Sequence, residues 1–299
     1  MNPEPAEVLT AKKRRAADHI RSALEIVALT LLAALFLKFF IVEAYRIPTS
    51  SMENTLMAGD FVLVNKFIYG AQTPRYVPFT SVRLPQMRLP AISPPRRGDI
   101  VVFESPESRW DANPHEVVNF VKRCVALPGD TLAIVDGVVF VNGQRLPVPL
   151  AARAERPLMY PRGFKDNKIF PRGAGFNEDN FGPLVIPRSG RQVELTLDNV
   201  SEYWDIVEHE GHVIATTRSG VLIDGRPART YRIQKNYYFM LGDNRDNSLD
   251  SRFWGFVSAD LVIGKAFLVY WSWEENESPS GFLSHLLSVR WNRIGKVVR

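Results

Sequence analysis

The chain has 299 residues, 45% of them hydrophobic and 23% charged, values of an ordinary globular protein that exclude wholesale disorder and collagen-like repeats. Lys and Arg number 37 against 32 Asp and Glu, a net charge of +5, too small a surplus to indicate a nucleic-acid partner. The single cysteine, Cys124, excludes an intramolecular disulfide and any multi-thiolate metal site.

Residues 1–22 form a polar, basic N-terminus with Lys12, Lys13, Arg14, Arg15 and Arg21. Residues 23–42 follow as a run of 20 mostly apolar residues, about 30 Å long as a helix and enough to cross a bilayer core. Its two charges, Glu25 and Lys38, lie near its ends, where they can snorkel to headgroups. A cleaved secretory signal ending at Val42-Glu43-Ala44 and a buried core helix are the rival readings. The length of the run favours an uncleaved transmembrane anchor, and the basic cluster at 12–15 predicts a cytoplasmic N-terminus.

The rest of the chain reads as mainly β. Phe61-Val62-Leu63-Val64, Ile100-Val101-Val102-Phe103, and residues 118–125, 237–241 and 261–271 have strand composition. Asp136-Gly137 and Asn142-Gly143 bracket Val138-Val139-Phe140-Val141, which predicts consecutive hairpins. The proline-rich stretch 71–98 reads as an extended excursion. Residues 146–229 read as an inserted, loop-rich subdomain with weak strand signals at 192–197 and 212–217, and no long amphipathic helix is expected after residue 42. The expected organisation is a β core of 43–145 and 230–275 around that insertion, then a basic tail, 276–299.

Three short segments carry candidate chemistry. The first, Ile47-Pro48-Thr49-Ser50-Ser51-Met52, begins five residues after the anchor; its hydroxyl cluster suits a nucleophile, a turn or a helix cap. In the second, Lys122 lies among apolar residues of a strand. Buried there, it would have a lowered pKa and could serve as a general base; an edge-strand lysine that blocks aggregation has the same pattern. Alternation puts Phe120, Lys122 and Cys124 on one face and Val121, Arg123 and Val125 on the other. The third segment, residues 242–255, repeats Asp and Arg at i and i+2, Asp243 with Arg245 and Asp250 with Arg252. That spacing suggests two paired charges in a hydrogen-bonded frame. No histidine fits a Ser-His-Asp triad, and His209-Glu210-Gly211-His212 has the wrong spacing for a zinc helix. A serine nucleophile would then need another base, and lysine is one solution.

Taken in order, the anchor, Pro48-Thr49-Ser50-Ser51-Met52, Arg97-Gly98-Asp99-Ile100-Val101-Val102-Phe103, Lys122-Arg123 with Leu127-Pro128-Gly129-Asp130, and Gly242-Asp243-Asn244-Arg245-Asp246-Asn247-Ser248 with Asp250-Ser251-Arg252 resemble type I bacterial signal peptidase, a membrane-bound Ser–Lys endopeptidase. The likeness covers about residues 40–143 and 235–271. It implies a mainly β, signal-peptidase/LexA-like catalytic fold behind one transmembrane helix. It also implies Ser51 as nucleophile and Lys122 as general base, with the Ser51 N–H and Thr49 hydroxyl holding the oxyanion and Ser248 orienting Lys122. Asp243, Arg245, Asp250 and Arg252 would brace the site. Ile47, Pro48, Met52, Leu56, Phe120 and Val121 would line shallow pockets for an Ala-x-Ala signal. Asn54 stands where the family usually has Pro, and Ser50 where Gly is frequent. Exported preproteins and the phospholipid bilayer are the implied partners, with no nucleic acid, metal or cofactor, and the implied location is the bacterial inner membrane with the catalytic domain periplasmic. A non-catalytic membrane-tethered adaptor and a self-cleaving Ser–Lys protease are the alternatives.

The surplus charge lies at the two ends: residues 1–21 carry net +2, residues 284–299 net +4 and the remainder −1. Arg290, Arg293, Lys296 and Arg299 read either as a basic lipid-binding segment or as a solvated tail. Phe67-Ile68-Tyr69, Trp271 and Trp273 suit a bilayer interface or ordinary core packing.

Overall fold

The computed structural model describes residues 5–73, 80, 82, 84–85, 87–106, 118–147, 159–274 and 288–299, with backbone alone for 5–17. The side chains of the 12–15 cluster, and His115, His285, Leu286 and Leu287, lie outside the described residues. Among the described residues the chain is mainly β, 33% strand against 20% helix.

Helix α1 (Pro5–Phe36) runs through one π turn (Leu37–Ile41) straight into strand β1 (Val42–Arg46). The stretch Asp18–Ile41 is long and apolar enough to cross a membrane, and none of its most apolar window is buried. That excludes the core-helix reading. Glu25 pairs with Arg21 one turn earlier, at 3.0 Å, which offsets its charge. The Val42-Glu43-Ala44 triplet lies inside β1 and is paired with β2.

The strands that follow are β2 (Asp60–Asn65), β3 (Ile100–Glu104), β4 (Asn119–Ala126), β5 (Thr131–Val135), β6 (Val138–Val141), β7 (Gln144–Arg145), β8 (Phe181–Val185) and β9 (Gln192–Glu194). After helix α2 (Val200–His209) come β10 (Ile214–Thr217), β11 (Gly220–Ile223), β12 (Arg226–Pro227), β13 (Thr230–Arg232) and β14 (Tyr237–Leu241). The short helix α3 (Ser251–Trp254), β15 (Val257–Ser258) and β16 (Val262–Ser272) complete the series. The main sheet has seven strands in the order β1-β2-β16-β3-β4-β14-β15. Its central strand β3 is buried on both faces. Ile100 and Val102 join the apolar cluster of Met52, Leu56, Val62 and Val64, while Val101 and Phe103 join that of Cys124, Met240 and Trp254.

Asp136-Gly137 and Asn142-Gly143 both have positive φ at each residue and connect directly paired strands, as type I′ hairpins require. Strand β8, from the 146–229 stretch, pairs with β5, and one apolar cluster runs from Val125 and Leu132 through Ile206 to Phe239 and Phe256. That stretch also contains a short helix that the sequence reading did not place, the ten-residue α2, which buries Val200, Ile206 and Val207; the apolar spacing is too sparse for the periodicity to register.

Residues 288–299 are neither a solvated tail nor a free lipid-binding segment. They lie beside β16, with Val269 N–H donating to Lys296 O (2.9 Å) and Val298 N–H to Phe267 O (3.0 Å), and Arg293 is buried. Tyr69 is also buried and donates to Asp99 (2.7 Å), the core alternative. Trp271 and Trp273 are half-buried, packed edge-on against Trp291 and Phe61.

Candidate active site

The β3–β4 ladder pairs Val101 with Lys122, Val102 with Val121 and Ile100 with Arg123, so Lys122 and Arg123 leave β4 on opposite faces, as the alternation predicts. On its other side, β4 is joined by β14 only from Arg123 onward, where Leu241 faces Arg123 and Met240 faces Cys124. Among the described residues, the stretch 119–122 therefore presents an unpaired edge on that side. The turn that carries Ser51 meets β4 at Lys122. Lys122 Nζ lies 2.6 Å from Ser51 Oγ, and both side chains are buried. Thr49 Oγ1 lies 3.3 Å from Ser51 Oγ and is exposed to solvent. The Phe120 ring stands 5.6 Å from Lys122 Nζ and stacks on Trp254 at 4.9 Å.

Burial pulls the Lys122 ammonium down to about 8 from an ordinary 10.5. The Asp250 carboxylate opposes that, the Arg252 guanidinium adds to it, and Asp243 opposes it more weakly. Lysine shifted this far is half neutral near pH 8, as a general base requires. Burial also pushes Asp250 up, yet the Arg252 guanidinium beside it and N–H donors from Gly242 and Arg252 hold it below the usual carboxylate range.

The bracing charges agree with the sequence reading at one pair and correct it at the other. Arg252 grips Asp250 with two bonds, Nε to Oδ1 at 2.9 Å and Nη2 to Oδ2 at 3.0 Å. Asp243 does not pair with Arg245. It accepts Arg123 Nε and Nη2 at 2.7 and 2.6 Å, and the Thr55 hydroxyl at 2.6 Å. Arg245 instead donates to Gly242 O (2.9 Å). The reason is the register: Leu241 faces Arg123, so the chain leaving β14 meets Arg123 before it turns.

Ser248 also departs from expectation. Its Oγ is buried and makes no hydrogen bond among the described residues, so it does not orient Lys122. It packs over Gly242, where an added Cβ would stand 2.1 Å from Ser248 Oγ and 2.6 Å from Ser51 O. Only glycine fits between the two serines. The backbone of Ser51 is held by Asn244, whose N–H donates to Ser51 O (3.1 Å), and Ser50 is held by Asn247 Nδ2 on its Oγ (2.9 Å). Ile47, Met52 and Leu56 are buried below the site, Phe120 and Val121 half-buried beside it, and Pro48 exposed at its rim. Sequence reasoning missed Arg123, Thr55 and Asn244. The adjacency of Arg123 to Lys122 was the signal available for the first; nothing local marks the other two. Among the described residues no cluster of His, Cys, Asp and Glu could hold a metal ion.

Residues 20–271 match the family described as signal peptidase, peptidase S26. The chain belongs to that family. It is 32% identical to a signal peptidase I of Buchnera aphidicola over 90% of this chain and 78% of that one. Against a signal peptidase I of Pseudomonas aeruginosa it is 32% identical over 82% of this chain and 70% of the relative. A signal peptidase I of Aquifex aeolicus is 30% identical, over 90% and 94%. Family membership makes the chain a serine endopeptidase of signal-peptide removal.

Proposed function

We propose that the chain cleaves exported preproteins after small-x-small (Ala-x-Ala) sites with Ser51 as nucleophile and Lys122 as general base. The observation that carries this is the 2.6 Å contact between Lys122 Nζ and Ser51 Oγ, at a lysine whose charge burial disfavours.

Neutral Lys122 takes the Ser51 hydroxyl proton as Oγ bonds to the scissile carbonyl carbon. The Ser51 N–H and Thr49 hydroxyl receive the oxyanion. The Lys122 ammonium then gives that proton to the leaving amine as the C–N bond breaks. In the second half, Lys122 takes a proton from water as its oxygen attacks the acyl carbon, and returns it to Ser51 Oγ as the ester bond breaks. Asp250 and Arg252 neutralise each other, so they brace the turn and leave Lys122 free to titrate.

The unpaired edge of β4 at 119–122 can take an extended peptide as an added strand. In such a strand alternate side chains share a face, so the −1 and −3 side chains point together onto Ile47, Met52, Leu56 and Val121. Ile47, Met52 and Leu56 are almost fully buried in that wall, which suits small side chains. Residues 43–145 and 230–275 serve as the catalytic part in this reading, with 146–229 as its insertion. Helix α1 spans the bacterial inner membrane with its N-terminus cytoplasmic and the sheet on the periplasmic side, supported by the exposed apolar stretch Asp18–Ile41.

Preprotein cleavage by the wild type, Ser51→Ala, Lys122→Ala, Lys122→Arg and Ser50→Ala tests the assignment. The two Lys122 variants and Ser51→Ala should be inactive, because guanidinium stays charged and cannot act as base. Ser50→Ala should turn over. Turnover by Ser51→Ala would overturn the reading.

A further inference from the structure

The turn that carries Ser51, residues 50–59, closes on itself through short local bonds such as Glu53 N–H to Ser50 O (2.9 Å) and Leu56 N–H to Met52 O (2.8 Å). What fixes it against the sheet comes from distant parts of the chain. One fastening is Asn244 on Ser51 and another is Asp243 on Thr55. The third is the C-terminal segment. Arg293 Nε and Nη2 grip Asp60 Oδ1 and Oδ2 at 2.8 and 2.5 Å, and the same Nη2 donates to Thr55 O at 3.2 Å. Val298 packs in the cluster of Ile47, Met52 and Leu56. The carbonyl of Arg299 accepts from Arg123 Nη2 at 3.3 Å, on the guanidinium that holds Asp243.

We propose that residues 288–299 act as a latch on the nucleophile turn, with Arg293 as a positioning residue that sets the distance from Ser51 to Lys122. This rests on Ser51 being the nucleophile. Thr55 is one helical turn beyond Ser51 and is pinned from two sides, its carbonyl by Arg293 and its hydroxyl by Asp243. Removing Arg293 releases the carbonyl. It also takes away the cation that grips the buried Asp60, leaving, among the described residues, the Ser272 hydroxyl (2.7 Å) and the Met57 N–H (2.8 Å) as its donors. The Thr55 carbonyl then has no donor among the described residues, and the tie of the turn to the β16 side is left to its far end, where Trp273 N–H donates to Gly59 O (3.2 Å). The Lys122–Ser51 contact does not survive a displacement of about 1 Å as a hydrogen bond. Misplacement of that size costs on the order of 100-fold in rate. A lysine at 293 could reach Asp60 as a point charge, but it lacks the planar fork that serves the carboxylate and the carbonyl together.

The test measures preprotein cleavage by the full-length chain in detergent micelles, for wild type, Arg293→Gln, Arg293→Lys and Val289→Ala. Val289 is buried in the same segment and bridges to Trp273, which meets the turn only at Gly59, eight residues beyond Ser51. Arg293→Gln should lower kcat at least about 10-fold with KM within about 2-fold. Its activity limb at acid pH should also move to higher pH, as water reaching Lys122 beside Asp250, Arg252 and Asp243 restores its ammonium. Arg293→Lys should fall between, and Val289→Ala should keep kcat within about 2-fold at a similar loss of melting temperature. A kcat loss in Arg293→Gln no larger than that of Val289→Ala, or an acid limb that stays in place, overturns the proposal. Should Arg293→Gln fail to fold, wild-type kcat and pH profile in Arg293→Lys overturn it equally. Turnover by Ser51→Ala in the same assay would instead remove the nucleophile assignment.

Discussion

Replacing Lys122 with methionine separates what the amine does for chemistry from what it does to the fold. The folded chain holds this ammonium at about 8, against 10.5 ordinarily. That difference of about 2.5 pH units amounts to about 3 kcal/mol. Below about pH 8 the lysine is protonated in both states, and its buried charge destabilises the fold by the full amount. Between about 8 and 10.5 the unfolded chain binds more protons, so stability rises with pH. Above that range the amine is neutral in both states and the penalty is gone. Methionine fills a similar volume without charge but gives up the bond to Ser51, worth about 1 kcal/mol. Lys122→Met should therefore be inactive yet more stable by about 2 kcal/mol near pH 6.5. The advantage should disappear near pH 10.5. Urea unfolding followed by tryptophan fluorescence at the two pH values measures it. A methionine variant less stable at the lower pH, or a difference that does not change with pH, would refute the reasoning.

For the active enzyme, the neutral fraction of a lysine at about 8 rises about five-fold between pH 7 and 8, so kcat/KM should rise by that factor and level off near pH 9. A profile flat from about pH 6 to 9 excludes Lys122 as the base. Asp243→Asn and Arg123→Met each leave a buried charge without its partner and should destabilise by about 3–5 kcal/mol. The double variant should lose less than the sum, as a double-mutant cycle by chemical denaturation reads directly. Gly242→Ala should lose about 1–3 kcal/mol together with activity. Ser248→Ala should not rescue it in a cleavage assay, because the Ser51 carbonyl still stands 2.6 Å from the new methyl.

The strands were legible where physics is local. Short apolar runs rich in Val, Ile and aromatic residues located β2, β3, β4, β14 and β16 within a residue or two, and the Asp-Gly and Asn-Gly pairs located two hairpins. Asp224-Gly225 makes a third, joining Ile223 to Arg226 with positive φ at both residues, and the same dipeptide rule would have found it. Strand β1 was hidden by the apolar run before it, since hydropathy alone cannot tell the last turn of a helix from the first residues of a strand. Asp243 shows the limit of spacing arguments. Arg245 is two residues away in sequence, but β14 delivers Asp243 to Arg123, and only the strand register reveals that. Arg293 carries no local sign at all of its partner Asp60, because the contact depends on how residues 288–299 return along β16.

The passage from helix to strand at Ile41 and Val42 leaves no slack between α1 and the sheet. Strand β1 is bonded along its whole length to β2 and spans about 17 Å. In the proposed topology it is a gauge block: it sets how high above the lipid Ser51 stands. A substrate whose apolar stretch is seated in the same bilayer then presents its scissile bond at one height only. The choice of cleavage site becomes a length measurement as well as a fit of small side chains. Residues inserted between Ile41 and Val42 would raise that height without touching the catalytic pair.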